Sequence, residues 1–332
     1  MTALHQGLTL FFSLLVEAMP FLLLGVLFSS GLLLWMEPDQ WLKRLPRHPL
    51  GGAIVGAVLG CVLPVCECGN VPVARRLLTQ GIPTSVAVGF LLGAPTINPI
   101  VIWSTWVAFR DQPLMVWGRV GLTLLVAVVV GWVFSVQKDW RPFVQPAVAQ
   151  MMSSWVAGQR LREPVLAGVP TGNFLALTGG KTLPLETMGW HGFRLLSRRG
   201  RWQMVWVSAL TELRELGGVL ILGTAVAAAI QVLTPREVIL GLGQGPVTSV
   251  VAMLLLGTVV SICSTVDAFF ALSFAGSFTA GALLAFLVFG PMVDLKGVSL
   301  LLTVFRPRAV IYLFLLAGLL TFVLTLAMNL YL

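Results

Sequence analysis

Apolar residues fall in long runs along this chain, at roughly 8–36, 50–66, 83–109, 113–136, 204–232, 246–264, 278–304 and 309–331. Runs of about 20 such residues match the length a helix needs to cross a bilayer. The pattern predicts an all-α polytopic membrane protein with about eight apolar membrane segments. The first run, Leu8 to Met36, has no basic stretch before it and is too long for the apolar core of a secretory signal. It reads as a retained transmembrane helix. Between Lys138 and Gln203 the pattern lapses, and nine basic residues appear (Lys138, Arg141, Arg160, Arg162, Lys181, Arg194, Arg198, Arg199, Arg201) amid Pro and Gly. This divides the chain into a first membrane repeat, 1–137, a cytoplasmic linker or peripheral region, 138–203, and a second membrane repeat, 204–332.

The word repeat rests on matched landmarks. Glu17 and Gly25 stand eight residues apart, as do Glu215 and Gly223. Pro38 follows Glu17 by 21 residues, and Pro235 follows Glu215 by 20. Cys66 precedes Pro95 by 29, and Cys263 precedes Pro291 by 28. Asn98 and Asp294 each lie three residues past those prolines. Matched landmarks in the same order argue for an internal duplication.

Basic residues test how the halves are oriented. Four simple crossings per half make the halves parallel, with eleven Lys/Arg inside and seven outside. If 50–80 and 246–276 are instead re-entrant hairpins, each half has three crossings and the halves are inverted. Sixteen basic residues then lie inside, and only Arg110 and Arg236 lie outside. The inverted arrangement fits the positive-inside rule better. The hairpin idea has its own support in LPVCECGNVP, Leu63 to Pro72, which has two interior helix breakers and a final Pro. GAPTINP, Gly93 to Pro99, breaks the next helix, and FGPMVDLKG, Phe289 to Gly297, is its counterpart. Broken backbone at membrane depth survives only where protein buries it or water lines it, and paired breaks point to a transport site.

Composition narrows the function class. Hydrophobic residues make up 57% of 332 and charged residues only 10%, with a mean hydropathy of +0.93. A soluble enzyme could not cover its surface with so little charge, and disorder and collagen are excluded by the same figures. The net charge of +8 has its source in the positive-inside rule. No basic patch interleaves with stacking aromatics, so no nucleic-acid partner is expected. Four cysteines are too few for a disulfide scaffold.

The candidate chemistry gathers at the breaks. Cys66 and Cys68 flank Glu67 at the first, and two thiols one residue apart at a turn can face a single soft ion. Cys263 holds the repeat-equivalent position, so Cys66, Cys68 and Cys263 could form a three-thiol site for Zn(II), Cu(I) or a trivalent metalloid. Cys61, five residues before Cys66, reads as a small core residue. Thr96 and Asn98 at one helix break, with Glu67 and Asn70 at the hairpin, are further candidates for binding a solute. At the other break stand Asp294 and Lys296, a candidate ion pair or coupling site. Glu67 and Asp267 flank the cysteines and suit proton transfer or helix capping. Glu17 and Glu215 are candidate proton relays or anchors for the hairpins. The three histidines are not spaced as metal ligands. There is no phosphate-binding loop, and no cofactor is expected.

The stretch PVCECGNVPVARRLLTQGIPTSVAVGFLLGAPTINP, Pro64 to Pro99, resembles the signature of a bacterial predicted-permease family. The surroundings of Ser261, Ile262, Cys263 and Ser264, and of Gly290 and Pro291, are similar as well. That family includes the arsenic-permease-P type exporters of trivalent organoarsenicals such as methylarsenite. The resemblance implies a multi-pass inner-membrane transporter rather than an enzyme. It carries a thiol-site role onto Cys66, Cys68 and Cys263. The expected cargo is a small thiophilic solute, with a soft divalent metal as the alternative and a thiol-redox role as another. A homo-oligomer or a partner subunit is compatible with this reading.

Overall fold

The structure is a computed structural model and describes residues 3–35, 45–46, 48–63, 65–136, 142–146, 148–149, 198–233 and 245–331. Most of the predicted linker lies outside the described residues, as do Pro38, Pro235 and several of the loop charges used to count orientation.

The described chain is helical. In order the helices are α1 (Ala3–Trp35), α2 (Pro49–Val62), α3 (Glu67–Thr79), α4 (Thr84–Ile97), α5 (Pro99–Ala108), α6 (Pro113–Ser135), α7 (Arg198–Leu233), α8 (Pro246–Val260), α9 (Asp267–Leu272), α10 (Ala280–Phe289), α11 (Leu295–Val304) and α12 (Pro307–Tyr331). Prolines open α2, α5, α6, α8 and α12, where a missing N–H costs nothing because the first turn has no intrahelical partner for it. Five helical stretches are long and apolar enough to cross a membrane: His5–Leu32, Thr84–Ala108, Pro113–Ser135, Val205–Leu233 and Pro307–Tyr331. The eight apolar runs therefore do not map onto eight continuous crossings. The run 50–66 ends as helix at Val62, and 278–304 is divided between α10 and α11 by residues 290–294.

Close approaches fix the helix directions. Gly7 of α1 lies by Val232 of α7, and Ser29 of α1 bonds Glu212 of α7, so these two run antiparallel. Gly56 of α2 touches the Val86 backbone and Gly60 touches Ala94, so α2 and α4 run parallel. Between them α3 returns to the side where α2 began, and a turn through Gly81, whose φ is 79°, leads into α4. At 14 residues, α2 is only about 21 Å long, short of the roughly 30 Å of a bilayer core. Together α2 and α3 make a helical hairpin that enters and leaves on one side.

Close approaches order the second half as well. Asn329, near the end of α12, accepts a bond from Gly281 N and donates to Pro246 O. The starts of α8 and α10 thus meet at one end, while Gly257 and Gly290 approach at the other. α9 turns back at Asp267. Residues 142–146 reach the α11–α12 junction, where Arg306 N donates to Phe143 O at 2.8 Å and Gln145 N to Val304 O at 2.9 Å. Val144 and Val148 join the same buried cluster as Cys66, Cys68 and Cys263.

Candidate functional site

Two hairpin tips and two helix breaks meet inside the protein. At the first tip Leu63 ends α2 and Cys66 stands at the N-cap of α3. Its carbonyl accepts from Gly69 N and Asn70 N, and its side chain makes no cap. The second tip repeats this wiring: the Cys263 carbonyl accepts from Val266 N and Asp267 N. Both side chains are buried, and Cys263 Sγ accepts from Thr265 Oγ1 at 3.5 Å. Cys66, Cys68 and Cys263 belong to one buried cluster, in which the Cys66 thiol interacts with Cys68 of the same tip and with Cys263 of the other half. All three are buried, and Cys61 is half-buried on α2. The thiols form a chain, Cys68–Cys66–Cys263, with Cys66 common to both contacts. Among the described residues no group of three or more His, Cys, Asp or Glu forms a ready metal cage.

The breaks are capped alike. Asn98 accepts from Val101 N at 2.9 Å and starts α5, and Asp294 accepts from Gly297 N at 2.8 Å and starts α11. Each break is also tied to its tip. Asn98 donates to Val65 O at 3.5 Å, and Ser261 accepts from Leu295 N at 3.2 Å. Ser261 is the one non-glycine among the described residues with positive φ, at 48°. A left-handed serine costs about 1–3 kcal/mol and persists where the surroundings hold it.

Lys296 was expected to pair with Asp294. Instead its ammonium faces Glu67 across the halves, with Nζ to Oε1 at 3.8 Å. Asp294 caps α11 through Oδ1, and its Oδ2 makes no bond to Lys296. The charges of Asp294 and Glu17 also reach Lys296. Five buried polar atoms around the tips and breaks have no hydrogen-bond partner: Glu67 Oε2, Asn70 Oδ1, Thr96 Oγ1, Ser264 Oγ and Asp294 Oδ2. Buried polar groups are nearly always paired. A concentration of unpaired ones beside free thiols fits a centre built to receive a guest.

Other predicted residues stand apart. Asp267 caps nothing; it holds Arg119 in a two-pronged pair at 2.6 and 2.9 Å. Arg119 also bonds Thr105. Glu215, expected to mirror Glu17, is half-exposed and bonded to Arg75 at 2.9 Å. It is engaged by a side chain rather than by the hairpin backbone. The buried carboxylate on α7 is Glu212, which binds Arg76 at 2.6 Å and accepts from Ser29. Sequence reasoning gave Arg75, Arg76, Arg119 and Glu212 no role. The usable signal was Arg119 itself, since an arginine inside an apolar run demands an acid.

Each tip is thus embraced by the opposite half: α3 by Lys296 and Glu212, α9 by Arg119. A profile of predicted permeases matches residues 3–330. The chain belongs to the predicted-permease family. It is 34% identical over 302 residues to the UPF0718 protein YcgR of Bacillus subtilis, covering 91% of this chain and 90% of that one. It is also 29% identical over 309 residues to a chain of Streptococcus mutans named as a two-component membrane permease complex subunit, covering 92% and 89%. No solved structure matches. Family and apolar helices together make this a multi-pass protein of the plasma membrane and a member of a permease family.

Proposed function

We propose that this permease moves a thiophilic solute, such as a trivalent organoarsenical, out of the cell through a thiol centre between two inverted halves. The observation that carries the reading is the meeting of Cys66 and Cys263 from two separate hairpin tips. A trivalent organoarsenical can exchange two As–OH bonds for two As–S bonds there, its hydroxyls leaving as water with the thiol protons, and thiolates favour such soft guests over hard cations. Glu67, Asn70, Thr96 and Asn98 line the approach to the thiols. The proposed boundaries are 1–137 and 204–332 for the halves, with 138–203 between them. Glu17, Asp294 and Lys296 form the charged group beside the site and are the proposed coupling residues. Glu215 is less suited, being bonded to Arg75. Like its two-component relative, the chain is proposed to act with a partner subunit.

The inverted arrangement is supported by α2–α3 and α8–α9 entering from opposite sides. It is supported further by the repeated tip-to-break bonding. The same thiols would take Zn(II) or another soft divalent ion, so the cargo is decided by experiment. Cells expressing the wild type or Cys66→Ser are challenged with methylarsenite, arsenite, antimonite, Zn(II), Cd(II) and Cu(I), and their elemental content is measured. Lower content of one species with the wild type, lost in the variant, is the expected result. Equal content for every species, with both proteins in the membrane, would sink the proposal.

A further inference from the structure

Arg214 lies nine residues beyond Val205 in a span that ends at Leu233. At 1.5 Å per residue it stands about 8 Å from the middle of that span, inside the roughly 15 Å half-thickness of a bilayer core. It is exposed. Its neighbours one and two turns either way on the same face are Leu210, Val207, Gly218 and Ile221, also exposed. Among the described residues it makes no hydrogen bond or ion pair. Arginines at such depth almost always face protein or water and have a partner.

The same face carries the matching charge. Glu215 is half-exposed and gives Oε2 to Arg75, leaving Oε1 available, since a carboxylate accepts several bonds. Between the two charges runs a line of small exposed residues at seven-residue spacing: Thr211, Gly218 and Ala225. At about 100° per residue these three fall within about 40° of one another, inside the roughly 100° that separates Arg214 from Glu215. A Cβ at Gly218 would meet nothing, so packing within the chain does not explain that glycine.

We infer that this face of α7 is a docking surface for a second copy of the chain, packed about a two-fold axis along the membrane normal. Two parallel α7 helices then approach along Thr211, Gly218 and Ala225, as small residues allow in membranes. Arg214 of each copy meets Glu215 of the other, at one depth and with no net charge. The reciprocity required of a two-fold interface is supplied by adjacent residues of opposite sign. A two-fold packing uses both flanks of the seam, Arg214 on one side and the open oxygen of Glu215 on the other.

The test uses the purified full chain in lipid vesicles. With the four native cysteines changed to Ser, single cysteines are placed by Thr211→Cys, Gly218→Cys and Ala225→Cys, with Trp206→Cys and Val226→Cys as off-seam controls. Oxidation should crosslink the first three and not the last two. Arg214→Glu alone and Glu215→Arg alone should each lower crosslinking at position 218 by roughly tenfold, within the range of interhelical polar contacts. Mixing those two variants should restore it, because unlike charges then face each other at both contacts. The chain with native cysteines, counted by photobleaching in the same vesicles, should read two copies. One copy per particle, equal crosslinking on and off the seam, or no recovery on mixing would overturn the inference. The first of these would assign the face to a separate subunit or to lipid.

Discussion

Cys66 is the thiol with two thiol neighbours, and that order makes a graded prediction. Cys66→Ser leaves Cys68 and Cys263 without a contact between them. Cys68→Ser or Cys263→Ser each leaves one adjacent pair. If two sulfurs hold the cargo, resistance and solute efflux are abolished by the Cys66 change and reduced by the other two. Cys61→Ser, half-buried on α2, leaves efflux unchanged. Equal and complete loss from all three would instead mean three simultaneous sulfur bonds. The thiols were legible in the sequence because C-x-C sits among helix breakers. The link from Cys66 to Cys263 was legible only through repeat spacing. The partner of Lys296 was not: Asp294 is two residues away in sequence, yet its side chain is used by the backbone of α11, and Glu67 arrives from the other half.

Helix caps and buried pairs belong to the scale of elements. Asp294 both caps α11 and carries charge beside Lys296, and two substitutions separate these roles. Asp294→Asn retains a capping oxygen and removes the charge, so thermal stability in detergent should hold while transport falls. Asp294→Ala removes both and should cost about 1 kcal/mol of stability in addition. If Asp294→Asn transports normally, the residue is a cap alone. Arg119 and Asp267 are nearly fully buried. Asp267→Asn would leave a guanidinium without its counter-charge, a loss of about 3–5 kcal/mol, while an apolar pair, Arg119→Met with Asp267→Leu, should recover most of it. Thermal unfolding of the three proteins measures both effects. The helix breaks at Asn98 and at 290–294 were readable from their prolines, but the Arg119 pairing was not. Its partner lies 148 residues away, and no local pattern encodes a contact at that separation.

For the whole molecule, the number of crossings determines which surfaces share a side. In the inverted arrangement α1 ends on the side where α6 ends and α7 begins, and the α2–α3 hairpin opens to that same side. The opposite side then holds the α5–α6 turn, the start of α8 and the end of α12. Single cysteines at Arg44, Pro83 and Arg306 should therefore respond to a membrane-impermeant thiol reagent from one side only. Cysteines at Asp111, Gly245 and Tyr331 should respond only from the other. Four crossings per half predict a different grouping, because residues 43–47 would then lie across the membrane from residues 75–80. Composition and run length were enough to show a polytopic helical protein, but they left the number of crossings open, since a run of apolar residues looks alike whether it traverses the bilayer or turns back inside it. What distinguishes the two is the company of the turn. Leu63 to Pro72 carries thiols, a carboxylate and an amide that would be costly in lipid. The fold resolves that cost by burying the tip against α1, α4 and α11. Labelling of position 44 from the side opposite position 83 would refute the hairpin and, with it, the meeting of the two cysteine tips on which the transport reading rests.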